Sequence, residues 1–361
     1  MRKIIWGIIA AVMLIIICPV CVVYSTNVYF NYAEIDDTTI AITSYNGWES
    51  NVEIPSQIDG KIVTAIGEYA FAGNSYLEKI VIPDTVLNVY MNAFKDCVAL
   101  TEVDAPSVIY FGEDAFENTK WLNDKLENNK FAVENNVLIK AQKNVTDKDS
   151  LSDDLIAIGG GAFKNCKNIK NFVVPEGIKY IEEAAFYNCD TLENISFPQS
   201  LVLIYEYAFS GCTSLCDAVL PQFLQGIGYG AFVDCTALRE ISIPYSVTQI
   251  MPYSFGYCYE NTDLVKIKDV QIYAIDGTAG EDYINENGFT ADEIQTQTVT
   301  DKSDTKNKTT EITTAKKQST KITAKKFSVK YVVLGLICFI VLAGSILMIA
   351  DSKRKDGKRK E

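Results

Sequence analysis

Cys97, Cys166, Cys189, Cys212, Cys235 and Cys258 each follow a phenylalanine by three residues, so one thiol position recurs along the chain. Thiolates bind soft metals, attack electrophiles or pair as disulfides, and each of these chemistries demands a convergent geometry. A zinc site needs three or four ligands pointing at one spot, whereas one cysteine per repeated unit produces a row. The row therefore reads as core packing by a small, soft side chain, with no metal ligand set. Cys216 stands four residues beyond Cys212, off this register, which makes it the more exposed thiol and the candidate for a reactive or pairing role. The chain contains no histidine. That removes Ser-His-Asp and Cys-His nucleophile pairs, the His-Glu-x-x-His zinc helix and imidazole general bases. Carboxylate chemistry stays open, but the 40 acidic residues between positions 27 and 294 single out no pair. No catalytic residue and no cofactor are expected.

The cysteines are positioned by a unit of 23 residues, whose copies begin at Ile158, Ile181, Ile204, Ile227 and Ile250. Each carries Ala-Phe or Ser-Phe at a fixed offset: Ala162-Phe163, Ala185-Phe186, Ala208-Phe209, Ala231-Phe232 and Ser254-Phe255. Upstream units begin at Ile66, Val89 and, shortened, Phe111, so eight units carry the phenylalanine. A fixed period of this length means a solenoid of stacked coils. Within one unit, Ile195-x-Phe197 alternates as a strand does and Pro198 ends it. Ala185-Phe186-x-x-Cys189-x-x-Leu192 keeps the spacing of one short helical turn. The expected fold is a β-rich α/β solenoid with one strand and one turn per coil.

The flanks assign the remaining domains. Residues 1–25 open with Arg2 and Lys3 before an apolar run, the layout of a signal peptide or N-terminal anchor. Residues 28–65 read as an N-terminal cap, with hairpin turns expected at Asn46-Gly47 and Asp59-Gly60. The solenoid spans 66–294 and carries an insertion at 118–150, where 47 residues separate Phe116 from Phe163. Within it, Asn118 to Asn128 reads as a helix and Asn135-Asn136 as a hairpin turn. A C-terminal cap is expected at 264–294, its repeat pattern dissolving around a short helix from Gly280 to Glu286. Residues 295–328 are rich in Thr, Lys, Ser and Gln and read as a disordered stalk. Tyr331 to Ala350 is 20 residues without a charge, long enough for a transmembrane helix, and the basic tail 351–361 follows. Whether or not the N-terminal segment is cleaved, this arrangement places the solenoid outside the cell membrane and the C-terminus in the cytoplasm. Residues 27–294 also hold 16 basic residues, hence a net charge of 16 − 40 = −24, which argues against nucleic acid as a partner.

The unit seen from Ile227 to Pro244, Ile-x-x-x-Ala-Phe-x-x-Cys-x-x-Leu-x-x-Ile-x-Ile-Pro, resembles the 23-residue leucine-rich repeat of BspA-like surface proteins. Val52-x-Ile54-Pro55 with Ile58-Asp59-Gly60-Lys61 resembles that family's N-terminal unit, and Gly277-Thr278 through Asn287-Gly288 its terminal unit. Departures are the insertion, Asn74 and Thr119 where cysteine is common, and Ser254 for alanine. The resemblance implies a surface-exposed adhesion or binding protein, with no catalytic residues to carry over.

Strand alternation then marks a candidate ligand face. If Ile80 and Ile82 point inward, Lys79 and Val81 point out, and the same offsets give Glu102 and Asp104, Asn171 and Val173, Asn194 and Ser196, Asp217 and Val219, and Glu240 and Ser242. Stacked coils would make these a continuous strip suited to an extracellular protein or other cell-surface ligand. Two other classes remain: a surface carbohydrate-active hydrolase or accessory protein, which a pocket with two close carboxylates would favour, and a receptor signalling through a partner.

Overall fold

The computed structural model describes residues 29–289. The expected signal segment, stalk, transmembrane span and basic tail lie outside the described residues. Among the described residues no helix is long and apolar enough to cross a membrane.

Each coil contributes two short strands where the sequence suggested one. Asn171–Val173, Asn194–Ser196 and Asp217–Val219 form one parallel ladder, with Asn171 opposite Asn194 and Asn194 opposite Asp217. The residues that open each unit form a second: Ala157–Ile158, Tyr180–Ile181, Leu203–Ile204, Gly226–Ile227 and Gln249–Ile250 pair in parallel. Successive coils run the same way round, so every inter-coil pairing of this kind is parallel.

The Ala-Phe segment is not a helical turn. Ala185, Tyr187 and Cys189 donate their N–H groups to Glu182, Ala184 and Phe186, bonds that span three residues. Ala184 and Asn188 interrupt any helix by adopting left-handed backbone, at φ 54° and 56°. The second of these positions, two residues after the phenylalanine, holds Gly73, Asp96, Asn118, Asn165, Asn188, Gly211 and Asp234, all with positive φ. Those are the residue types that tolerate the left-handed region. The turns also join coils directly: Phe186 N–H donates to Ala208 at 2.7 Å and Asn188 N–H to Ser210 at 2.8 Å.

The core is a column of rings. Phe163, Phe186, Phe209, Phe232 and Phe255 stack with centroids 4.8, 5.1, 5.0 and 5.0 Å apart. Phe71, Phe94 and Phe116 form a second column at 4.9 and 5.0 Å. Beside the rings, Cys189, Cys212 and Cys235 donate their thiol hydrogens to the carbonyls of Phe163, Phe186 and Phe209 at 3.1–3.2 Å. The cysteine thus fills a small apolar site and satisfies a backbone acceptor in the coil before it. Replacements at the variant positions keep local polar groups bonded. Thr119 Oγ1 donates to Phe116 O and accepts from Leu122 N–H. Asn74 Oδ1 accepts from the N–H groups of Tyr76 and Leu77, and buried Ser254 donates to Gly228 O at 2.8 Å.

The caps differ from expectation in two places. Asn46-Gly47 makes no hairpin; the cap hairpin pairs Phe30–Glu34 with Thr39–Tyr45. Its turn is set by the Asp36 carboxylate, which accepts from the N–H groups of Thr38 and Thr39 at 2.7 and 2.9 Å and from both hydroxyls. Asp59-Gly60 does turn the chain, between Gln57–Ile58 and Lys61–Ile66. After the last repeat the chain stays ordered: Tyr257–Glu260 pairs antiparallel with Asp263–Lys266, which draws Cys258 out of the thiol row to a half-buried position. Gln271–Tyr273 then pairs with Glu240–Ser242. Helix Ala279–Glu286 closes the end, its Tyr283 hydroxyl accepting from Phe255 N–H and donating to Phe255 O.

The insertion supplies the missing coil. Its helix is Lys120–Glu127 and its hairpin, Phe131–Glu134 with Val137–Ala141, turns on Asn135 and Asn136 at φ 49° and 62°. Val137 and Leu138 pair with Ala157 and Ile158, so the second strand ladder restarts here.

Candidate functional site

The parity of the strands places every candidate strip residue outward. Val173 and Val219 are 72% and 75% exposed, while Phe172 and Ala218 between the outward pairs are buried. Glu102, Asp104, Asn171, Ser196, Asp217, Glu240 and Ser242 are exposed, and Lys79, Val81 and Asn194 are partly so. Some of these side chains are already engaged. Lys79 pairs with Glu102 at 2.9 Å, and Asn194 donates to Asn171 at 2.7 Å. The exposed thiol of Cys216 donates to Glu193 O at 3.4 Å.

The strip is not continuous, contrary to the stacking expectation. It divides into three hydrogen-bonded blocks: the insertion separates Glu102–Asp104 from Asn171–Val173, and Asp217–Val219 lies beside Glu240–Ser242 without pairing with it as a strand. There Trp121 N–H donates to Leu100 O at 2.7 Å, and the Asp147 carboxylate accepts from Lys170 N–H at 2.7 Å and from the Asn171 amide at 3.2 Å. Two positions extend the face beyond the sequence reading. Asn51 and Glu53 open it, paired with Lys79 and Val81, and Gln271 and Tyr273 close it, paired with Glu240 and Ser242. Buried Val52 and Ile272 carried the alternating signal for both.

A cleft of about 370 Å³ opens at the insertion, lined by Glu117, Asn118, Leu122, Lys140, Gln142 and Asn144. Its single carboxylate, Glu117, lies 3.0 Å from Lys140, whose ammonium also meets Asp114 at 2.7 Å. No close pair of acids faces this space. Among the described residues no three acidic or thiol side chains gather as a metal site would require.

Two glutamates are buried instead. Glu182 and Glu206 are 2% and 4% exposed, and Oε2 of each meets no partner. Tyr110 and Tyr205 lie over this region with ring centroids 6.2 Å apart, both buried. Burial pushes the Glu182 and Glu206 carboxyls up. Burial and then the charges of Glu206, Glu113 and Glu68 raise Glu183 to about 8. Neighbouring coils approach closely here because Gly160 and Gly228 have no side chains: a Cβ would lie 2.3 Å from Glu113 N at the first and 2.4 Å from Glu206 N at the second. Sequence offered no sign of it, since charged residues flanking a strand ordinarily face water.

Coils of 23 residues, paired by parallel strands around a phenylalanine column, define a leucine-rich repeat solenoid. The chain belongs to the BspA-type leucine-rich repeat family, whose profile matches residues 38–147 and 141–262 in six copies. No curated protein matches the chain. Among solved structures it is similar to a Treponema pallidum leucine-rich repeat protein, at 25% identity and TM-score 0.31, covering 58% of this chain and 88% of that one. It is also similar to a leucine-rich cell surface protein of Faecalibacterium prausnitzii, at 26% identity and TM-score 0.31, covering 67% and 57%. The pneumococcal vaccine antigen PcpA shares 14% identity at TM-score 0.36, covering 72% and 94%. Membership rests on the repeat match.

Proposed function

We propose that this chain is a cell-surface recognition or adhesion protein, anchored through Tyr331–Ala350, that binds protein partners along the outward strand face. The observation that carries the reading is the face itself. Asp104, Ser196, Asp217, Val219, Glu240 and Ser242 project from hydrogen-bonded strands, and their side chains bond no other described residue. Rigid strands hold these groups at fixed spacing, so little conformational entropy is lost when a partner docks. Aliphatic Val173 and Val219 among them supply apolar contact that a merely solvated strip would lack. Adhesion by such a face needs neither a cofactor nor a nucleophile.

The test is capture. The full chain, displayed on cells and crosslinked to neighbouring-cell or host-cell surface proteins, should enrich a small reproducible set of proteins. A chain in which Val173 and Val219 are both replaced by Asp should lose that set while keeping its expression and far-UV circular dichroism. Equal enrichment by the two chains would overturn the reading.

A further inference from the structure

Two exposed aromatic residues stand at the edge of the first strip block. Trp48 is 78% exposed and Tyr76 59%, their ring centroids 5.9 Å apart at 63°. They occupy the same place in consecutive coils, three residues ahead of the paired strands Asn51–Glu53 and Lys79–Val81. Neither the indole N–H nor the phenol hydroxyl bonds another described residue. The rings therefore contribute little to the fold beyond contact with each other. We propose that Trp48, Tyr76 and the carboxylates around them form a docking ridge for an arginine-bearing segment of a partner protein. This rests on reading the strand face as the recognition surface, whose first block the ridge adjoins.

Charge selects the partner. Glu49 and Glu78 lie within two residues of the rings in the chain, Glu53, Glu102 and Asp104 lie further along the strand block that the rings lead into, and all five are exposed. Only one cation, Lys79, lies among them, and it is committed to Glu102 at 2.9 Å. A cationic segment meets unneutralised carboxylates here, while an anionic one is repelled. Arginine fits better than lysine, because its planar guanidinium stacks on an indole face and also forks onto a carboxylate. A neutral glycan would take the ring faces and donate hydroxyls to the carboxylates, but would leave their charge uncompensated. An aliphatic partner finds a mostly polar rim of Asn46, Gly47, Ser50, Asn51, Asn74 and Ser75, with exposed Val98 of the next coil its one large apolar member.

The ridge is also held in place before any partner arrives. Ser50 O accepts from the N–H groups of Glu78 and Lys79 at 2.7 and 2.9 Å, tying the Trp48 loop to the coil that carries Tyr76. The Glu49 carboxylate accepts from Trp48 N–H at 3.1 Å and from the Tyr45 hydroxyl. A fixed aromatic pair amid Asn, Ser and Gly is the composition of rigid protein-binding surfaces.

The experiment uses the full chain in detergent micelles and a fluorescein-labelled hexapeptide of alternating arginine and glycine, followed by anisotropy. Trp48→Ala with Tyr76→Ala leaves the net charge unchanged and should weaken binding by about tenfold or more, as loss of an aromatic anchor does. The matching lysine peptide should bind several-fold more weakly than the arginine peptide. Unchanged affinity in the double variant would show attraction by bulk charge alone and overturn the ridge. Displacement of the peptide by neutral oligosaccharides at equal concentration, with tighter binding of the sugar, would overturn it in favour of a glycan. If Glu102→Lys with Asp104→Lys abolishes binding while the aromatic variant does not, the strand face stands and the ridge alone fails.

Discussion

Replacing Phe186 with alanine tests whether the ring column joins the coils. Phe186 is fully buried, with Phe163 stacked on one face at 4.8 Å and 7° and Phe209 on the other at 5.1 Å and 11°. Phe172 meets its edge at 5.4 Å. Removing a buried phenylalanine ring costs about 3–5 kcal/mol, depending on how far the surroundings collapse. Collapse is restricted here. Phe209 is held from its far side by Phe232 at 5.0 Å, and the turns either side of the cavity are tied by inter-coil hydrogen bonds. The two lost stacking contacts add about 0.5–1.5 kcal/mol each to the transfer term. The expected loss therefore falls toward the upper end, about 4–5 kcal/mol. Urea unfolding followed by far-UV circular dichroism measures it, with Val219→Ala, at an exposed strand position, as the control expected to change stability by less than about 0.5 kcal/mol. A Phe186→Ala loss below about 1.5 kcal/mol would show that the strand and turn ladders hold the coils together without the column.

Three further outcomes follow from the same geometry. Burial raises the carboxyls of Glu182, Glu206 and Glu183, the last to about 8. The folded state thus favours their protonated forms, and this contribution is full below the unfolded carboxylate range near pH 4.5 and is lost as pH rises toward about 8 and beyond. Urea midpoints should fall over that window, and Glu182→Gln with Glu206→Gln should flatten the fall and raise stability at pH 8; a variant curve parallel to wild type would refute it. Native protein should label readily at Cys216 but at none of Cys97, Cys166, Cys189, Cys212 and Cys235, which are buried; burial also pushes the Cys97 thiol up to about 12 and the Cys166 thiol to about 11. Mass spectrometry after pulse alkylation reads this directly, and fast labelling of the row without unfolding would contradict it. Protease added to intact cells should release the solenoid by cutting within 295–328, and full protection with active protease would sink the surface placement.

Side-chain parity made the scaffold legible. Ile195 and Phe197 inward, Asn194 and Ser196 outward, follow from alternation alone, as do the ring and thiol columns from a constant offset. The second strand escaped notice because two residues, such as Tyr180 and Ile181, are too few to alternate. The turn reads as helix because its apolar spacing is helical. What overrides that spacing is backbone: Gly211, Asn188 and Asp234 at one offset are the left-handed signature, readable once the columns are aligned. The break in the strip was hidden for a different reason. The insertion restores one ladder through Val137 and Leu138 while interposing Trp121 and Asp147 beside the other, and nothing local in those residues announces which ladder they serve. Buried Glu206 depends on a close approach by Gly228 of the next coil, a long-range fit that single-unit patterning does not contain.

The central claim is that the outward strand face carries recognition while the columns carry the fold. Its most direct measurement is the affinity of the captured partner for wild-type protein and for a variant with Glu102, Asp104, Asp217 and Glu240 each replaced by Lys, at low and at physiological salt. All four are exposed, so the variant should remain folded, each change costing less than about 0.5 kcal/mol. The account predicts that binding weakens by about tenfold or more, with a salt dependence altered from that of wild type. Unchanged affinity at both salt concentrations, in a variant with native circular dichroism, would contradict it.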